Sequence, residues 1–233
     1  MNSLDTLALV QHSCDAYDAP WKGTEQLLDD DGQNRGYMQL DSRGVMIAIS
    51  GTQSKKDFLT DMEVLQEHEQ GGMVHSGFWE EYEQIQGQIL AFIRSHPMAP
   101  VRLTGHSLGG ALATYATEDA ANLENREVKL VTIGSPSPGD MRYCARFNGL
   151  VKNSVRIVHG WDFVPRLEKI NAQHVNGLLH IDNWGRPIRQ PETFGQQLVR
   201  DAENIFADVV GWGLRDHDRH LYLESVNRFM ALL

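Results

Sequence analysis

Val101-Arg102-Leu103-Thr104-Gly105-His106-Ser107-Leu108-Gly109-Gly110 is the stretch on which the reading of this chain turns. A short β-like run ends in Gly105-His106-Ser107-Leu108-Gly109, and an alanine-rich helical segment, Ala111 to Ala121, begins at once. Gly-x-Ser-x-Gly with a strand before it and a helix after it is the nucleophile-elbow pattern. The turn must be so sharp that Ser107 takes a strained backbone conformation and its hydroxyl projects above the sheet edge. A side chain at either flank would collide with the neighbouring strand or helix, so Gly105 and Gly109 have to be small. The helix that follows aims its free N–H groups and the positive end of its dipole at the place where an oxyanion would form. Ser107 is therefore the candidate nucleophile.

Upstream of this stretch, Leu4, Leu7, Ala8, Val10 and Tyr17 fall at helical spacing within residues 3–17, and Ala19-Pro20 ends that helix. Residues 21–34 read as a polar, turn-rich loop, and Asp29-Asp30-Asp31-Gly32 lacks the ligand spacing of a calcium loop. Gly36 to Leu40 and Val45 to Ser50 read as two strands joined by the turn Asp41-Ser42-Arg43-Gly44. The second strand runs into Ser50-Gly51-Thr52-Gln53-Ser54, which suits either an oxyanion-binding loop or a plain strand exit. Within residues 55–66, Phe58, Leu59, Met62 and Leu65 share one face among charged neighbours, a short amphipathic helix and candidate lid. Tyr82, Ile85, Ile89, Phe92 and Ile93 trace the stripe of a longer helix from Phe78 to Ser95, stopped by His96-Pro97.

Downstream, Val128 to Ile133 and Ser154 to His159 are buried-strand candidates, with a short helix from Met141 to Phe147 between them. Gly177 to Asp182 reads as another strand. Phe194, Leu198, Ala202, Ile205, Phe206 and Val209 give a long amphipathic helix, and a last helix begins near Asp218 with Tyr222, Val226, Phe229 and Met230 inward. Strands that alternate with helices predict an α/β fold with a largely parallel sheet covered on both faces. The 233 residues carry no repeat or linker-like tract, so residues 1–233 are read as a single domain.

Composition narrows the function. A net charge of −10, from 31 acidic and 21 basic residues, argues against nucleic acid and against adhesion to anionic lipid surfaces. Cys14 and Cys144 lack metal-ligand spacing and read as isolated, reduced thiols. Residues 1–20 carry Asp5, Asp15 and Asp18 and no basic region, so they do not read as a signal peptide, and no apolar run reaches membrane-spanning length. The expectation is a soluble chain, cytoplasmic or exported by a non-classical route.

A serine hydroxyl becomes a useful nucleophile when a histidine takes its proton and a carboxylate orients that histidine. On sheets of this kind the acid follows the serine in the chain and the histidine follows the acid. Asp140, Asp162 and Asp182 all lie after strands; Asp162 follows its strand most directly, Asp140 suits a helix N-cap and Asp182 a turn. His174, His180, His217 and His220 are available as the base. Asp218 reads as the N-cap of the last helix, which leaves His217 in the loop, free to reach the sheet edge, and His220 in the first helical turn.

Together these residues resemble the class 3, or fungal-type, lipases of the α/β-hydrolase superfamily. Gly105-His106-Ser107-Leu108-Gly109-Gly110 is similar to that family's elbow, and Ser50-Gly51-Thr52 to its oxyanion loop, although an arginine usually stands where Ser50 does. Asp57-Phe58-Leu59-Thr60-Asp61 resembles the stretch after the loop, with Phe58 in place of tryptophan. His75-Ser76-Gly77-Phe78, Gly134-Ser135-Pro136 and Asp162-Phe163-Val164-Pro165 follow in family order, and Asp216-His217 resembles the Asp-His ending of bacterial members. The resemblance implies an α/β-hydrolase fold and hydrolysis of acyl esters, small-molecule or lipid, through an acyl-enzyme. Ser107, Asp162 and His217 are then the triad, and the backbone N–H groups of Thr52 and Leu108 the oxyanion hole. Neither metal nor cofactor is called for, and contact with a lipid interface would be transient. A phospholipase acting on membrane lipids is the alternative substrate reading. A hydrolase-like module that binds without cleaving is the alternative class.

Overall fold

The computed structural model describes residues 3–18, 21–52, 65–67, 71–123, 126–166, 172–188 and 215–233. In chain order its elements are α1 (Ser3–Asp15), β1 (Glu25–Leu28), β2 (Asn34–Asp41), β3 (Gly44–Ile49), β4 (Leu65–Glu67), β5 (Met73–His75), α2 (Ser76–Ser95), β6 (Val101–His106), α3 (Leu108–Asn122), β7 (Val128–Ile133), β8 (Gly139–Asp140), α4 (Met141–Leu150), β9 (Ser154–His159), β10 (Ala172–Gln173), β11 (Leu178–Ile181) and α5 (Arg219–Ala231). Short 3-10 turns cover Ala16–Asp18 and Val164–Arg166.

Strand β3 shows why the layers form. Its side chains point alternately to the two faces of the sheet, and both faces are apolar, as a parallel strand covered on both sides requires. Val45, Ile47 and Ile49 join one core with Phe78 and Ile85 of α2 and Leu112 and Tyr115 of α3. Met46 and Ala48 join a second core with Leu9 and Val10 of α1 and Tyr222 and Val226 of α5. Among the described residues the central sheet has seven strands in the order β1-β2-β3-β6-β7-β9-β11. From β3 to β11 the pairings are parallel, while β1 and β2 add an antiparallel edge. This is the largely parallel sheet with helices on both faces that the alternation of strands and helices predicts. Cys14 and Cys144 are free and buried, and burial pushes both thiols up to about 12.

Two readings change. Residues 25–28, taken as loop, form edge strand β1; of its four residues only Leu27 is buried, so no apolar run announces it. Leu65, read as the end of an amphipathic helix, instead opens β4, which pairs antiparallel with Met73–His75, so ladder hydrogen bonding overrides the helical spacing there. Strands β10, β8, β5 and β4 form a second, small sheet whose members are two or three residues long. Phe58, Leu59 and Met62 of the candidate lid lie outside the described residues, as does the helix read from Phe194 to Val209.

The C-terminal ends of β3, β6, β7 and β9 lie side by side in the sheet order. The loops that leave them carry Thr52, Ser107, Gly134 and Asp162, which is where open α/β sheets place their ligand sites.

Candidate active site

The elbow is strained and tightly packed. Ser107 sits at φ 58° and ψ −131° between β6 and α3, and with Met98 it is one of two non-glycine residues with positive φ among those described. Such a conformation costs of order 1–3 kcal/mol and persists only where the surroundings hold it. Here the Ser107 N–H donates to the Ile133 carbonyl at 3.0 Å, and the Gly110 N–H donates to the Ser107 carbonyl at 2.9 Å. A Cβ on Gly105 would lie 2.1 Å from the Gly109 carbonyl oxygen, and one on Gly109 would lie 2.3 Å from that of Ile49. Strand, helix and the end of β3 therefore meet backbone to backbone.

Around the Ser107 hydroxyl the chain assembles a directed set of hydrogen bonds. The Asp162 carboxylate accepts from His217 Nδ1 at 2.8 Å, which leaves Nε2 as the acceptor facing Ser107 Oγ at 2.8 Å. Asp162 is fully buried, and its charge is met by two further donors: the Tyr222 hydroxyl at 2.6 Å on Oδ2 and the Val164 N–H at 2.9 Å on Oδ1. Burial, followed by the neighbouring Asp162 charge, pushes the Tyr222 phenol well above its ordinary range, so it keeps its proton and donates. His217 is 4% and Ser107 7% exposed, so the chain of bonds runs through a poorly solvated place where charge interactions are strong. Gly134 fits closely over it; a Cβ there would stand 2.9 Å from Asp162 Oδ2 and 3.0 Å from His217 Nδ1.

Asp216 ties together the two loops that carry the acid and the base. Its buried carboxylate accepts from the Trp161 N–H at 2.8 Å and from Arg215 at 3.1 Å. Gly160, at positive φ, leaves it room, because a Cβ there would come within 2.4 Å of Asp216 Oδ2.

The other candidates serve the fold. Asp140 caps α4 by accepting from the Tyr143 N–H, and Asp182 accepts from the Trp184 and Arg186 amides of its own turn. His174 faces the Pro165 carbonyl, and His180, in β11, that of Gly160. His220 lies exposed in the first turn of α5, behind its N-cap Asp218.

On the oxyanion side, Gly51, the residue before Thr52, stands so close to the elbow that a Cβ would meet Ser107 Cβ at 3.0 Å. Leu108 opens α3, and the Ser107 side chain makes no cap hydrogen bond there. The arrangement can take a proton from Ser107, hold the resulting imidazolium against a carboxylate, and present backbone N–H groups to an oxyanion. Tyr222 and Asp216 join the site beyond the candidates that the sequence offers. Their only sequence signal is the Asp-His pair with a tyrosine five residues beyond the histidine.

A family model described as lipase (class 3) matches residues 46–172, more than half of the chain. The chain is 31% identical over 169 residues to the secreted mono- and diacylglycerol lipase 1 of Fusarium solani, a match covering 68% of this chain and 49% of that protein. It is 27% identical over 226 residues to phospholipase A1-Igamma2, chloroplastic, of Arabidopsis thaliana, covering 80% and 42%. The triacylglyceride lipase of Rhizomucor miehei superposes with a TM-score of 0.71 at 22% identity, covering 92% of each chain, and shows the shared α/β-hydrolase fold. The matched stretches span less than two thirds of the length of the first curated relatives.

Proposed function

Because the chain belongs to the class 3 lipase family, we propose that it is a serine carboxylic ester hydrolase acting on acyl esters. The observation that carries this reading is the hydrogen-bonded sequence Ser107–His217–Asp162, at 2.8 Å for each step, on a strained elbow. Ser107 Oγ attacks the ester carbonyl while His217 Nε2 takes its proton, and Asp162 holds the imidazole in the required tautomer and stabilises its charged form. The carbonyl oxygen becomes an oxyanion held by the N–H groups of Thr52 and Leu108 at the positive end of α3. Collapse of that intermediate expels the alcohol, protonated by His217, and leaves an acyl-Ser107. Water, deprotonated by the same imidazole, then releases the acid.

Acyl glycerols are the substrate class suggested by the name of the Fusarium relative, and phospholipids by that of the Arabidopsis relative. Among the described residues no helix is long and apolar enough to cross a membrane. With a net charge of −10, contact with an anionic lipid surface is electrostatically disfavoured, so neutral or soluble esters are the favoured substrates. A fluorophosphonate probe tests the chemistry: wild-type protein is expected to label at Ser107, and Ser107→Ala not at all. Absence of labelling in the wild type would refute the reading. A panel of p-nitrophenyl esters set against phospholipid vesicles then separates the two substrate classes.

A further inference from the structure

His106, one residue before the nucleophile, is buried, and its ring lies 4.7 Å from that of His217 at a 34° tilt. Its Nε2 is 2.8 Å from the backbone carbonyl oxygen of His217. A carbonyl can only accept, so Nε2 carries the hydrogen, and in the neutral ring Nδ1 is then an acceptor. The group facing Nδ1 is the Tyr17 hydroxyl, at 2.7 Å. Tyr17 reaches it from the 3-10 turn after α1, with the guanidinium of Arg219 4.2 Å above its ring. Burial pushes the Tyr17 phenol well above its ordinary range, so the hydroxyl remains a donor. Gly51, the residue before Thr52, packs against the phenol oxygen. The contact is close: a Cβ on Gly51 would lie 2.5 Å from that oxygen.

A directed series results, from Tyr17 O–H to His106 Nδ1 and from His106 Nε2–H to the His217 carbonyl, with Gly51 packed against the phenol oxygen at its start. One end holds the loop that presents Thr52, and the other holds the main chain of the proposed base. Both ends are referred to the strand that carries Ser107. We propose that Tyr17 and His106 are positioning residues that lock the oxyanion loop and the His217 backbone in register with the elbow. The proposal rests on the hydrolase reading.

The test uses the full chain, a soluble p-nitrophenyl ester and a fluorophosphonate. Tyr17→Phe removes one oxygen and keeps the packed ring. His106→Gln keeps an N–H donor for the His217 carbonyl and breaks the link to Tyr17. Each is expected to lower kcat about tenfold, the size of one lost hydrogen bond, with KM unchanged within about twofold. Because both cut the same series, the double variant is expected to fall no further than the weaker single variant. If Tyr17→Phe does not fold, His106→Gln alone must show the loss in kcat at constant KM. Wild-type kcat in Tyr17→Phe, whatever its Tm, overturns the proposal. So does a loss confined to KM, or a double variant at the hundredfold product of two independent effects. Wild-type protein that neither labels nor cleaves esters removes the hydrolase reading and this inference together. Active wild type with an indifferent Tyr17→Phe removes the inference alone.

Discussion

His217 and His220 lie three residues apart, and the N-cap between them separates their roles. Asp218 accepts from the His220 N–H at 2.8 Å and starts α5, so the helix sets the direction of His220 while His217 stays in the turn beside Ser107. His217→Ala is expected to cost about three or more orders of magnitude in kcat on a soluble ester, as loss of a triad member does, and His220→Ala less than about tenfold. The reverse ranking would reassign the base. Tyr222→Phe is a finer test: Asp162 loses one of its donors but keeps His217 and the Val164 N–H, so kcat should fall by roughly three- to tenfold with the fold intact. An unchanged kcat would reduce Tyr222 to a packing residue. The positions the structure brings together at Ser107 could be located in the sequence because each sits beside a local signature: an elbow between two glycines, an acid directly after a strand, a histidine directly before an N-cap. Tyr17 has no such signature, and His106, although it lies within the elbow, has none that names its partners. Their bonds join residues 89 and 111 positions apart, and the spacing of neighbouring residues holds no trace of contacts at that range.

At the scale of elements, the same distinction explains which parts of the fold could be read. Val128–Ile133 and Ser154–His159 appear at the residues predicted for them, because each is rich in β-branched side chains and ends in a buried stretch between turn-forming residues. Strand β1 does not, because an edge strand with one buried residue has no period to detect, and the two-residue strands β8 and β10 are too short to have one. The elbow glycines were legible for a reason the geometry makes quantitative, and two substitutions by the same residue should have opposite signs. Gly105→Ala puts a Cβ 2.1 Å from a backbone oxygen of α3, so strand and helix must separate. A loss of about 1–3 kcal/mol or more is expected, read as a fall in Tm. Gly87, exposed in the middle of α2, has nothing within 4 Å of its added Cβ. Gly87→Ala should therefore stabilise the protein by about 0.5–1 kcal/mol through helix propensity alone. Equal effects of the two would mean that the close approach at the elbow is relaxed in solution.

At the scale of the whole molecule, histidines packed away from the proposed site are expected to set how the fold responds to acid. Burial holds the His180 imidazole down to about 4 and that of His174 to about 3, against an ordinary value of 6.5. Nearby guanidiniums act in the same direction: Arg166 lies 3.1 Å from His180 Nε2, and Arg156 faces His174. His12 is lowered as well, again chiefly by burial. In the unfolded chain these rings protonate near their ordinary value, so below it the unfolded state binds protons that the folded state refuses. Stability therefore rises with pH, and the contribution is complete above about 6.5 and is lost progressively as the pH falls toward the folded values. Asp41 behaves differently. Burial raises its carboxyl, but hydrogen bonds from Arg102 and the Arg43 amide, with both guanidinium charges, outweigh that and leave it below 3.8. Its contribution is present above the ordinary carboxylate value and disappears only in stronger acid. Between pH 7 and pH 5 the histidines should dominate, and Tm is expected to drop by several degrees across that interval. His180→Gln, which keeps a donor for the Gly160 carbonyl but cannot take up a proton near neutrality, should flatten the slope while leaving Tm at pH 7 nearly unchanged. A Tm that stays level from pH 7 to pH 5 in the wild type would mean that these rings accept protons inside the fold.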